Sequence, residues 1–134
     1  MAYFEMKYKD YLYVIFRIGI GALFFMYGVQ KLFGLWGMPG GPAVFGTIVW
    51  FAGVFEAMIG LSLVTGVLTR LASFFGAIMM VVAYLMGHVS VGGWNPMINQ
   101  GAPAIMFMLA FLVTLAYGAR KASLEQIAFG KELF

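Results

Sequence analysis

Apolar residues fill four long stretches of this chain, and polar residues collect in the short breaks between them. A helix that crosses a bilayer needs about 20 mostly apolar residues, because the hydrocarbon core is about 30 Å thick and each residue rises about 1.5 Å. All four stretches meet that length within the tolerance of such a count. The first covers residues 11–33 and runs into a glycine- and proline-rich loop, 34–42. The second covers 43–68. Thr69 and Arg70 make a tight turn into the third, 70–88. A polar loop, 89–100, leads to the fourth, 101–118, where Pro103 sits in the first turn and its missing N–H costs little. The pattern predicts an all-α fold: one four-transmembrane-helix bundle, forming a single domain over residues 1–134.

The fourth stretch closes at Arg120 and Lys121. Ser123 followed by Gln126 has the spacing of a capping box, and Leu124, Ile127 and Ala128 share one helical face. This predicts a short amphipathic tail over 123–134 lying on the membrane surface. At the other terminus, Lys7 and Lys9 precede an apolar run longer than a signal-peptide core and without a clear cleavage site. That run is read as a spanning helix that is not removed.

Composition agrees with lipid as the solvent. Of 134 residues, 63% are hydrophobic and 10% are charged, against about 25% charged in a soluble domain. The absence of cysteine excludes disulfides, thiolate metal sites, iron–sulfur clusters and a catalytic thiol. With one histidine, the sequence predicts neither a metal site nor covalently attached haem. The eleven methionines are read as packing and lipid-facing residues. The net charge of +3 would suggest nucleic acid in a soluble protein. Here the basic residues sit at helix ends, which suits anionic headgroups and predicts no nucleic-acid partner.

Those basic residues also orient the bundle. With four spans, both termini and the loop between the second and third share one side. That side holds Lys7, Lys9, Arg70, Arg120, Lys121 and Lys131, with Arg17 nearby, and the other side holds only Lys31. The positive-inside rule makes both termini cytoplasmic, in a multi-pass protein of a prokaryotic plasma membrane. Trp36 and Trp94 fit the outer aromatic belt, and Tyr11, Tyr13 and Tyr117 the inner one.

Ionisable groups inside lipid cost roughly 2.5–3.5 kcal/mol at a helix centre, so each needs a partner or a purpose. At 100° per residue, Gly21, Gly28 and Lys31 lie within about 40° of Arg17. Glu56 is flanked by Ala52, Gly53 and Gly60, and small residues mark close helix contact. Both polar faces therefore turn into the bundle. Counted along the helices, Arg17 and Glu56 fall near enough in depth for a long arginine to span the gap, which predicts an Arg17–Glu56 ion pair. That pair either fixes helix register or forms a patch that binds a headgroup or relays a proton. Arg70 reads as a positive-inside determinant that snorkels. Lys31 and His88 fall near the outer surface, with Gln30, Trp94, Asn95, Asn99 and Gln100 around them. They either anchor the interface or line a pocket in which His88 exchanges a proton and Lys31 holds an anion. The candidate ligand-binding set is Arg17, Lys31, Glu56, His88, Trp94 and Asn99. The candidate catalytic residues are His88 and Glu56.

The ordered residues resemble the DoxX family of small four-helix membrane proteins. The resemblance rests on Arg17, Gly19, Gly21, Gly28, Lys31 and Leu32; then on the block Glu56, Gly60, Leu61, Leu63, Gly66, Thr69 and Arg70. It continues in Met80, Ala83, His88, Trp94, Asn95, Pro96, Asn99 and Gly101, and ends in Gly118, Ser123 and Leu124. Two positions depart from the family pattern: Ala102 stands where a glutamate is frequent, and Glu125 where aspartate is usual. The resemblance implies a membrane subunit of a quinone-linked redox complex, of the thiosulfate:quinone oxidoreductase type, with quinone as the cofactor and other protein subunits as partners. Two alternatives fit the same residues. One is a non-catalytic scaffold or anchor within a larger membrane enzyme. The other is a transporter-like protein that binds a small molecule or lipid.

Overall fold

The computed structural model describes the backbone of residues 2–133 and the side chains of residues 7–133. All regular structure among them is helical. Helix α1 spans Ala2–Phe33 and starts well before residue 11, because no glycine or proline interrupts the charged first turns. Gly34 ends it at φ +66°, with its N–H on the Gln30 carbonyl at 2.8 Å.

Helix α2 spans Ile48–Thr65, shorter at both ends than the expected 43–68. Pro42 and Gly46 (φ +80°) break the chain ahead of it. Thr47 then caps the first turn, its hydroxyl accepting from the Trp50 N–H at 3.3 Å. Gly66 stops the helix in the left-handed conformation, with its N–H on the Ser62 carbonyl.

Helix α3, Thr69–Ala83, runs without a break into a π-helical segment, Tyr84–Val89, and then into α4, Ser90–Gly92. The expected uniform helix to residue 88 is therefore replaced by a wider turn over its last residues, a feature that often marks functional sites. Helix α5 spans Ala102–Tyr117 and α6 spans Leu124–Phe129. Three stretches are long and apolar enough to cross a membrane: Lys7–Phe33, Ile48–Thr65 and Thr69–Gly92; Ala102–Tyr117 is a shorter apolar helix. Their outward faces carry exposed Ile15, Phe55, Met58, Ile78 and Met106, as a lipid-facing surface requires.

The helices associate as two pairs. In the α1–α2 pair the backbones nearly touch. A Cβ on Gly21 would fall 2.8 Å from the Gly60 carbonyl oxygen, and one on Gly28 would fall 2.6 Å from that of Gly53. Small residues permit this approach, which in lipid replaces the hydrophobic drive for association. In the α3–α5 pair, Gly76 receives the Phe111 ring, and the buried hydroxyls of Ser73 and Thr114 bond at 2.6 Å. Phe24, Ile59, Leu63, Met80, Phe107 and Phe111 fill the space between the pairs. Phe24 meets Phe111 edge-on at 4.8 Å between ring centroids.

At the end that carries the termini, the chain after α5 folds back over the bundle. Arg17 is completely buried there. Its guanidinium donates to the carbonyls of Ala119, of Lys121 at 3.0 Å and of Ala122 at 2.8 Å. The expected Arg17–Glu56 ion pair is thus absent. Gly118, Arg120 and Ala122 adopt positive φ, which curls the chain so that successive carbonyls converge on the planar guanidinium. Tyr13 adds a bond from its hydroxyl to the Gly118 carbonyl at 2.5 Å.

Ser123 occupies the N-cap position of α6, but its hydroxyl donates to the Gly66 carbonyl at 2.7 Å instead of closing a capping box. Glu125 is buried and accepts the backbone N–H of Leu68 at 2.6 Å and of Leu133 at 3.0 Å. Glu132 accepts the Ala119 N–H at 2.6 Å and lies 3.9 Å from Arg70, so Arg70 has a partner as well as a position. The amphipathic tail is therefore docked on the α2–α3 turn through its polar residues, leaving Leu124 and Ile127 exposed. Phe134, in the predicted tail, lies outside the described residues.

Candidate functional site

At the opposite end, the two helix pairs diverge around a partly open cavity of about 430 Å³. Its walls are apolar: Phe24 and Tyr27 from α1, Val49 and Ala52 from α2, Met79 and Met80 from α3, and Phe107 from α5. Its polar groups are Lys31, Glu56, His88 and Gln100. Three of the six candidate ligand residues therefore share one site: Lys31, Glu56 and His88.

Lys31 and Glu56 form the ion pair that the sequence assigned to Arg17. The Lys31 ammonium lies 2.7 Å from Oε1 and 2.5 Å from Oε2 of the carboxylate. The Glu56 side chain is 6% exposed and that of Lys31 24%. Helix register explains the exchange. Gly21 lies against Gly60 and Gly28 against Gly53, so the antiparallel helices bring Glu56 nearer along α1 to Lys31 than to Arg17. Lys31 also follows Gly28 by one turn on the face that meets α2. The ammonium sits 5.6 Å from the Tyr27 ring centroid, a cation–π arrangement. Tyr27 was not a sequence candidate, although its position one turn before Lys31 was a readable signal.

His88 comes from the π-helical segment, whose wider turn sets it beside the loop that leads into α5. Its Nδ1 lies 2.9 Å from the Asn99 carbonyl oxygen. Asn99 thus reaches the site through its backbone. Its side chain closes the loop instead, with Nδ2 donating to the Gly93 carbonyl at 2.7 Å and Oδ1 accepting the Gly101 N–H at 2.8 Å. Trp94 is 73% exposed and lies outside the cavity lining; only its carbonyl is engaged, by the Tyr84 hydroxyl at 2.5 Å. Asn95 accepts the Met97 N–H at 3.0 Å within the same loop. Arg17 is excluded from the site by its place near the middle of α1, about 21 Å before Lys31 along the helix axis.

The cavity can therefore hold a molecule with a polar ring end and an apolar remainder. Lys31 commits two directions of its ammonium to Glu56 and has a third N–H to offer, and Glu56 cancels its charge. His88 supplies an imidazole, which in its neutral form donates at one ring nitrogen and accepts at the other.

A family profile described as DoxX matches residues 12–89, which takes in most of α1, all of α2 and α3, and the π-helical segment. A protein of Haemophilus influenzae, described as an uncharacterized protein, is 31% identical over 129 residues, covering 93% of this chain and 96% of that one. No solved structure matches.

Proposed function

The chain belongs to the DoxX family, and from that premise we propose that it is a four-pass subunit of a quinone-linked redox complex in a prokaryotic cell membrane. The observation that carries this reading is the two-sided cavity. Aromatic and methionine walls suit a quinone ring and its isoprenoid tail, and Lys31, His88 and Gln100 form one polar end. A bound quinone supplies two-electron, two-proton chemistry. The residues of this chain bind and orient it. Lys31 donates a hydrogen bond to one ring oxygen, and Glu56 keeps the site near neutral. His88 accepts a hydrogen bond at the ring nitrogen left free by Asn99. Phe24 and Phe107 exclude water. Electrons enter or leave through another subunit of the complex.

The fourth crossing is α5. Its 16 residues rise about 24 Å, and a short span is met by local thinning and by flanking residues that reach the interface. Lys7, Lys9, Arg70, Arg120, Lys121 and Lys131 support a reading with both termini in the cytoplasm, in which the cavity opens toward the outer half of the bilayer.

Titration of the purified protein in lipid nanodiscs with decylubiquinone tests the proposal. The wild type should bind saturably. Lys31→Met with Glu56→Leu, which removes the donor without stranding its partner's charge, should bind about tenfold more weakly, the scale of one lost hydrogen bond in a buried site. Trp94→Ala, outside the cavity, should bind like the wild type. Absence of saturable binding to the wild type would sink this reading in favour of a scaffold role.

A further inference from the structure

Resting on that reading, we infer that the cavity selects the reduced, hydroxyl-bearing form of its quinone, and that Asn99 is the positioning residue that sets this choice. A carbonyl oxygen only accepts hydrogen bonds. Nδ1 of His88, 2.9 Å from the Asn99 carbonyl, must therefore carry the proton. A neutral imidazole has one donor and one acceptor, so Nε2 holds the lone pair. A hydroquinone hydroxyl donates to that nitrogen. The carbonyl oxygen of the oxidised ring sets a lone pair against a lone pair. Lys31 donates to the other ring oxygen in either redox state, so His88 makes the distinction.

The Asn99 carbonyl is held firmly enough to impose this. The Asn99 side chain ties Gly93 to Gly101 and lies 3.4 Å from the Tyr84 hydroxyl, which itself holds the Trp94 carbonyl. The Tyr84 ring stacks on His88, with centroids 6.3 Å apart and planes at 29°. Gly92 and Gly101 admit this closure: a Cβ on Gly92 would lie 2.9 Å from the Asn99 Cβ, and one on Gly101 would lie 2.6 Å from the Tyr84 ring. The π-helical segment sets Tyr84 and His88 on one side, where a single loop restrains both.

The chain has one histidine, so protein labelled with ¹⁵N-histidine gives one pair of ring-nitrogen signals. Their shifts report the tautomer directly in mildly alkaline buffer. The expected result has three parts: the Nδ1–H tautomer without ligand, movement of the Nε2 signal on adding decylubiquinol, and about tenfold tighter binding of decylubiquinol than of decylubiquinone. An Nε2–H tautomer, or equal affinity for the two forms, overturns the inference while the quinone site stands. The Nδ1–H tautomer with neither form bound overturns the proposed function, and the redox preference with it. Asn99→Ala should mix the tautomers and erase the preference. A folded Asn99→Ala with both unchanged overturns the positioning role. Should that variant fail to fold, Tyr84→Phe removes one prop of the loop and keeps the ring stack, and the same two readouts decide.

Discussion

Lys31 on α1 and Glu56 on α2 meet at 2.7 and 2.5 Å in the lining of the cavity, and this contact joins the two helices beside their close glycine crossing. Removing one partner strands a charge in a site that is 6% exposed on the glutamate side. Lys31→Met should therefore lower stability by about 3 kcal/mol, whereas Lys31→Met with Glu56→Leu should cost clearly less than the sum of the single changes. Reversible unfolding of the three variants in detergent measures the coupling. Strict additivity would show that the pair contributes nothing to the fold.

Arg17 secures the chain after α5 through three carbonyls. Arg17→Met leaves all three without a donor and should free residues 119–133. Trypsin should then cut at the exposed Arg120 and Lys121 many times faster than in the wild type. Arg17→Lys should rescue only in part, because an ammonium cannot match the flat, forked guanidinium. Equal cleavage rates in all three proteins would show that the tail is held by other contacts.

The glycine contacts between α1 and α2 give a position-specific prediction. Gly28→Ala and Gly60→Ala introduce a methyl group where backbone atoms of the facing helix already stand, and each should destabilise by about 1–3 kcal/mol. Gly19→Ala meets nothing within 4 Å and should be neutral or slightly stabilising, since alanine is the better helix former. Comparison of the three melting temperatures checks the register that pairs Lys31 with Glu56.

Glu125 accepts two backbone N–H groups, one from the α2–α3 turn and one from the last described residue. Bonds to a charged group are worth roughly 1.5–3 kcal/mol, so Glu125→Ala should loosen both turn and tail. Hydrogen exchange should rise at Leu68 and Leu133 while Phe24 and Phe111 in the core stay protected. Leu68, held at φ +49°, should respond most.

Hydropathy and small-residue spacing revealed the apolar helices and their contact faces, because both are local: a lipid-facing helix must be apolar over its whole length, and a close crossing must be lined by Gly or Ala. Gly21, Gly28, Gly53 and Gly60 were readable for that reason, and so was the need to partner Glu56. The partner itself was not readable. It depends on the register of two antiparallel helices, and counting depth with Tyr11 and Leu68 as level ends set α1 against α2 by about 3 Å from the register that Gly21–Gly60 and Gly28–Gly53 fix. Arg17 was harder still, since backbone carbonyls that gather where the chain curls leave no mark in residue identity. His88 was visible as the lone histidine near the outer surface, but the π-helical turn and the Asn99 carbonyl that define its proton come from folding.

By itself the sequence determined solvent, fold class and the need for buried charges to find partners, since each follows from composition and period along one chain. Only the tertiary structure decided which groups meet: Lys31 with Glu56, Arg17 with the tail, and His88 with Asn99. The reason is physical. A charge in lipid takes whichever partner the helix register and chain reversals bring within about 3 Å, and a slip of one turn, about 5.4 Å, changes that partner.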